Sequence, residues 1–137
     1  MCCPYFDPTE PRAAGGSAML PLGDEWVGLC RAQPAAPVQP DEAQLDALCN
    51  LGYARGACPH FPADGGPAAV RFTVRAVDET ALRLYYVAER DHHPFAHGPL
   101  EFSRALGALV NPPDSECLGR QALAYVRSYF RGKAMAA

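Results

Sequence analysis

Lysine is almost missing from this chain: one stands against eleven arginines, and there is a single tryptophan. With alanine abundant, the lysine shortage reflects genome base composition rather than mechanism. Long apolar runs are missing as well. None approaches the roughly 20 residues that span a bilayer, so no membrane association is expected. The opening Met-Cys-Cys-Pro has no basic and then apolar region of a secretory leader, and the expected location is cytoplasmic. Dense positive charge is also absent. Residues 1–64 carry eight acids and three arginines, and residues 65–137 carry seven acids and nine bases. Neither half suits phosphate contacts, so no nucleic-acid partner is expected. Arg120, Arg127, Arg131 and Lys133 do gather near the C-terminus, where basic residues suit a helix dipole. Phosphate-cradling Gly-rich loops, His-Glu-x-x-His and Gly-x-Ser-x-Gly are all lacking.

What remains is a chain of 137 residues, 49% apolar and 20% charged, which is enough for one core and one domain over 1–137. Its fourteen prolines and twelve glycines fall largely before residue 70. The expected fold is α+β. A small antiparallel sheet with a central hairpin and two principal helices forms residues 65–137, and a loop-rich, cysteine-bearing half, 1–64, packs on it.

Residues 1–18 read as extended and irregular, because prolines and glycines recur through them. Pro21–Arg31 reads as a Gly23-Asp24 turn before a short apolar run that carries the only Trp, a short strand or buried loop delivering Cys30, and 34–40 reads as a linker. A helix begins after Asp41, with Gln44 completing a capping box. Leu45, Leu48 and Cys49 share its inner face, and Gly52 suits its end. Residues 70–77 and 82–89 alternate in a hairpin pairing 72 with 86, 74 with 84 and 76 with 82. That register demands a connection of three or five residues. A third strand is expected near 100–103, a short helix over 104–110, and a last helix opening at Pro112 and ending near Gly132. Its apolar stripe is Leu118, Ala122, Tyr125, Val126 and Tyr129.

The chemistry lies in the cysteines. Cys58-Pro-His-Phe61 nearly repeats Cys3-Pro-Tyr-Phe6, and Cys30 and Cys49 lie between the two units. Six cysteines in a reducing compartment point to metal or redox chemistry rather than disulfides. Cys3, Cys30, Cys49 and Cys58 are therefore the expected ligands of one site, with 26, 18 and 8 residues between neighbours. No Cys-x-x-Cys knuckle of a structural zinc site occurs, whereas iron–sulfur cages draw ligands from separate loops and place proline after a ligand. Proline fixes the backbone beside the sulfur, and Phe6 and Phe61 are placed to shield the group.

A 4Fe-4S cluster is thus the first expectation, in a small electron-transfer protein or an accessory subunit with a protein redox partner. Zinc in a structural or protein-binding module is the alternative. A thiol-based enzyme, with Cys58 and His60 as nucleophile pair, is the further one. Cys3 is preferred to Cys2 because it completes the repeat. Cys117, on a small-residue face with Gln121, Ala124 and Ser128, reads as a packing thiol. A possible secondary site is His92, His93 and His97, three imidazoles in one expected loop. His97 is its strongest member, because Gly98 permits close approach.

Overall fold

The computed structural model describes residues 2–11, 22, 26–33, 35–53, 58–59, 61–62 and 66–136. The Gly23-Asp24 turn and His60 lie outside them. The class is α+β. Strands β1 (Phe6–Pro11) and β2 (Trp26–Cys30) form a two-stranded antiparallel sheet. Strands β3 (Ala69–Val77), β4 (Ala81–Arg90), β5 (His93–Ser103) and β6 (Ala108–Leu109) form a four-stranded antiparallel meander in that order. Helix α1 (Glu42–Gln44) runs into a π turn (Leu45–Cys49), and α2 spans Glu116–Ala136. No helix among the described residues is long and apolar enough to cross a membrane.

The N-terminal segment is more regular than its prolines suggest. β1 is a strand from Phe6 onward, with a bulge between Pro8 and Glu10. Proline is tolerated there because, among the described residues, β1 ladders with β2 alone. The close fit of the two strands rests on Gly28. A Cβ at that position would stand 2.0 Å from the Asp7 carbonyl oxygen.

In the larger sheet, Phe72 faces Tyr86 and Val74 faces Leu84, as the alternation requires. The expected 76–82 pair is not made. A bulge at Arg75 sets Ala76 opposite Arg83 and Val77 opposite Leu82, and it leaves Ala76 and Val77 exposed. Arg71, Arg75 and Arg83 are exposed. The connection is the three residues Asp78-Glu79-Thr80. Asp78 Oδ1 accepts from the Thr80 N–H and hydroxyl and from the Ala81 N–H, at 2.8, 2.8 and 2.9 Å. These donors, the Thr80 N–H first, hold the Asp78 carboxyl below its ordinary value. A depressed folded pKa gives stability above the unfolded value, lost as pH falls through the folded one. Asp78→Ala should therefore lower the midpoint of urea unfolding at neutral pH. The gap from wild type should close below about pH 4.

Three further expectations are corrected. β5 begins at His93, so the presumed histidine loop is a two-residue turn, Asp91-His92, followed by strand. Both turn residues have left-handed backbones (φ 52 and 64), as a tight hairpin turn needs. The region 104–110 is a turn followed by β6. Gly107, at φ 65, donates its N–H to the Ser103 carbonyl and turns the chain back on β5. Helix α2 begins at Glu116 rather than Pro112 and runs past Gly132. Ser115 Oγ accepts the Leu118 N–H, while Asn111 is bonded to the sheet edge at Glu101 and Pro99.

Helix α2 makes contact on two sides. Tyr125 meets Phe72 at 5.6 Å between ring centroids, and Phe130 meets Phe102 at 6.3 Å. These contacts set one stripe of the helix against the meander. The small-residue face, which carries the expected packing thiol Cys117, lies against the β1–β2 sheet. Gln121 donates to the carbonyls of Cys3 and Phe6, and the Trp26 indole donates to Ser128. Gln121, Ala124 and Ser128 are buried, since small side chains let the helix approach closely.

Candidate functional site: a four-cysteine pocket

The structure brings Cys3, Cys30, Cys49 and Cys58 to one pocket, whose remaining walls are Tyr5, Phe6, Ala32, Leu48 and Phe61. The four residues span 56 positions of sequence. Each arrives by a separate route. Cys2 exchanges two backbone hydrogen bonds with Val70, of 2.7 and 2.8 Å, which fastens the N-terminal segment to β3. The next residue, Cys3, donates its N–H to the Cys49 carbonyl. Cys30 ends β2, and its N–H and carbonyl both bond to Val38.

Cys49 ends the π turn. The capping box of Asp41 and Gln44 has both of its bonds, at 2.8 and 3.1 Å, and starts the chain into this turn. The Asn50 N–H reaches back five residues to the Leu45 carbonyl. Widened turns of this kind recur at functional sites. Gly52, at φ 80, lets the chain leave the turn and donates its N–H to the Leu48 carbonyl.

The repeated Cys-Pro-x-Phe units share one type of backbone hydrogen bond. The Phe6 N–H donates to the Cys3 carbonyl at 3.1 Å, and the Phe61 N–H donates to the Cys58 carbonyl at 3.2 Å. Proline in each second position pre-sets the backbone for this bond. Each unit thus presents a thiol and a phenyl ring to the same pocket. Tyr5, the variable residue of the first unit, lies edge-on to Phe61, with 5.4 Å between centroids.

Electrostatics tie the sulfurs together. Burial pushes the Cys49 thiol up to about 12, and the charges of Cys30 and Cys58 push it further in the same direction. Burial raises Cys3 as well, against the Tyr5 backbone N–H and with Cys2, Cys49 and Cys30 adding to the rise. Without a cation these thiols stay protonated. A bound cation reverses the direction, because a coordinating thiol is deprotonated.

The pocket holds about 20 Å³, room for a single water-sized body. Among the described residues, no three His, Cys, Asp or Glu side chains form a group that could hold one metal ion. The sulfurs therefore share a pocket without forming a single-ion site.

The other candidates fall elsewhere. Cys2 is fully buried outside the pocket lining, so Cys3 is the member of the pair that faces it. Cys117 is also outside it, and its thiol donates to the Phe6 carbonyl. All six cysteines are free thiols. His92, His93 and His97 are exposed and form no such metal-holding group with one another. The His92 ring stacks on Tyr53 at 4.2 Å, and His97 Nδ1 is hydrogen-bonded to the Tyr85 hydroxyl. Of the basic C-terminal residues, Arg120 is bound to Asp7 and Glu116, and Arg127 lies over the Trp26 ring.

A residue that the sequence did not single out positions two of the four thiols. Asn50, buried at the end of the π turn, accepts the Trp26 N–H and donates to the carbonyls of Trp26 and Leu45. It thereby clamps β2, which carries Cys30, to the turn that carries Cys49. Its only sequence signal is a polar residue directly after a ligand candidate. Asn50→Leu would leave the buried Trp26 amide without these partners, costing about 1–3 kcal/mol in a urea titration.

A broader groove of about 730 Å³ lies on the other side of Pro4-Tyr5, reaching Cys117 and the first turn of α2. Its Arg31 and Arg120 are both bonded to Asp7, and Asp114 and Glu116 line it too. No protein-family model, no curated protein and no solved structure matches this chain.

Proposed function

We propose that Cys3, Cys30, Cys49 and Cys58 hold an iron–sulfur cluster, of the 4Fe-4S type, and that the protein carries electrons for a protein redox partner or complex. The observation that supports this reading is the gathering of four thiols from separate segments in one apolar pocket. The donor set and the dry walls suit a cluster. When bound, the cluster supplies one-electron transfer. The chain's part is to hold the sulfurs, to exclude water with Tyr5, Phe6, Leu48 and Phe61, and to place a backbone N–H at the Cys3 sulfur.

Zinc is the second reading, and the small pocket volume favours it, since one ion needs less room than a cluster. Against it stands sulfur placement. Tetrahedral zinc draws its sulfurs to within about 4 Å of each other, and the thiols do not make such a group. A cluster spreads them wider, and entry of a polynuclear group would require the pocket to open. A thiol-based enzyme is the third reading; Cys2, Cys49 and Cys117, each pushed up to about 12 chiefly by burial, are poor nucleophiles, which leaves Cys58 as its candidate.

Anaerobic purification with iron, acid-labile sulfide and zinc analysis tests the reading. A brown protein absorbing broadly near roughly 400 nm is the expected result. Stoichiometric zinc in a colourless protein would establish the second reading. A colourless protein without metal would end both.

A further inference from the structure

Two of the pocket thiols sit on elements that are fastened to each other. Cys30 ends β2, and its N–H and carbonyl both bond to Val38. Cys49 ends the π turn, and the next residue, Asn50, bonds to Trp26 at the start of β2 and to Leu45 at the start of the turn. Both residues are thereby held at the pocket that they line. That pocket has room for one water-sized body, so only a short gap separates sulfurs on its walls. Burial raises the Cys49 thiol, and among the other cysteines Cys30 acts on it most, ahead of Cys58. The two differ in cover. Cys49 is 8% exposed, Cys30 is partly open to solvent, and both are free thiols.

We infer that Cys30 and Cys49 are a peroxide-responsive pair, in which Cys30 is oxidised first and Cys49 closes a disulfide onto it. The inference concerns the thiols themselves and does not rest on the cluster reading. Hydrogen peroxide is the oxidant. The Cys30 sulfur attacks one peroxide oxygen, the O–O bond breaks, and the thiol proton leaves with the departing hydroxide as water. The Cys49 sulfur then displaces the hydroxyl of the Cys30 sulfenic acid. An S–S bond replaces the S–O bond, and the Cys49 proton leaves with that hydroxide as a second water. The thiols lose two electrons in all, and the peroxide gains them. Cover sets the order of events. A buried, protonated Cys49 is a poor target for an oxidant arriving from solvent, yet it stands beside the sulfur that solvent reaches. The bond ties β2 to the π turn a second time. It also withdraws two of the four sulfurs, so oxidation closes the pocket to a four-sulfur group and reduction reopens it.

The full chain is treated with chelator and reductant, desalted anaerobically and given an equimolar amount of hydrogen peroxide. Remaining thiols are alkylated, and tryptic peptides are read by mass spectrometry without reduction. Cleavage after Arg12, Arg31, Arg55 and Arg71 places Cys30, Cys49 and Cys58 on separate peptides. The Cys30–Cys49 link should exceed every other pairing by at least about tenfold, because thiols held together outpace thiols that must diffuse. Cys2 and Cys117 should be recovered alkylated. The same oxidation in urea should spread the pairing over all six cysteines. Cys58→Ser should keep the Cys30–Cys49 link, and Cys30→Ser should leave Cys49 reduced.

A dominant link from Cys49 to Cys3 or Cys58 would overturn the inference. So would six thiols left intact, a Cys30 sulfenic acid that never links, or Cys49 oxidised as readily in Cys30→Ser. A native pairing pattern that matches the one in urea would overturn it as well, since the fold would then select no pair. None of these results bears on the iron content of the anaerobically purified protein, which tests the cluster reading separately.

Discussion

Replacing Asp7 with alanine should lower the free energy of unfolding by about 2–4 kcal/mol, read as a shift of the urea midpoint at constant slope. Asp7 is 2% exposed, yet its carboxylate lies between the guanidiniums of Arg31, just beyond β2, and Arg120, on α2. It thus ties β1 to β2 and to the helix at once. Removing one member of a buried pair is costly because the partners lose the charge that offset their desolvation. The effect is placed at the lower side of that range because the two arginine side chains are 35% and 39% exposed and recover water. Glu101→Ala breaks the Arg83 pair on the open face of the sheet, where the side chains are 57% and 38% exposed. That change should stay within about 0.5 kcal/mol. Equal effects from the two variants would show that Asp7 is not a structural tie.

Both features at Asp7 were beyond reach of the sequence, and the reason is physical. Phe6–Pro11 carries two prolines, and pairing with β2 depends on the glycine at 28 that admits the Asp7 carbonyl. Local propensity carries no record of such a tertiary fit. The α2 face with Gln121 and Ser128 reads as a small-residue packing face, but which sheet it meets does not follow from the sequence, for a related reason. A helix packed on two sides uses its small polar positions for close approach, so its pattern looks one-sided. Only the end of β5, 100–103, was legible, because its first half is exposed on both faces, through Phe95, Ala96 and His97, so burial never alternates there. Its turn, Asp91-His92, is braced from outside by Tyr53. That residue stacks on the His92 ring, and its hydroxyl accepts the His92 N–H.

By contrast, local chemistry was legible. The Asp41–Gln44 box has both bonds, and the 72–86 and 74–84 pairs follow from alternation. The Cys-Pro-x-Phe repeat stood out because its residues lie within four positions, and in each copy the Phe N–H bonds to the Cys carbonyl. It also pointed to the pocket that the four cysteines share. The clamp at Asn50 and the edge-on contact of Tyr5 with Phe61 were not legible, because each joins residues far apart in sequence.

Replacing Cys58 with serine should remove most of the iron, by more than about tenfold, and loosen the segments around Cys3 and Cys30. The two effects belong together. Metal binding to thiols is coupled to folding, so losing one ligand forfeits binding free energy that otherwise holds the chain segments in place. Cys58 is the informative position because it is only partly buried, and in metal-free protein a thiol-to-hydroxyl change there disturbs little. Cys3 and Cys49 are less useful, since serine at these buried positions alters packing whether or not metal binds. The comparison therefore needs four samples: wild type and Cys58→Ser, each purified anaerobically and each after chelation. Iron content and amide exchange at Cys2–Phe6 and Val27–Cys30 should separate the purified pair and coincide for the chelated pair. Cys117→Ser should match wild type throughout, because the serine hydroxyl can still donate to the Phe6 carbonyl. If Cys58→Ser leaves metal content and exchange unchanged, the four thiols are core side chains and the pocket they share holds no cofactor.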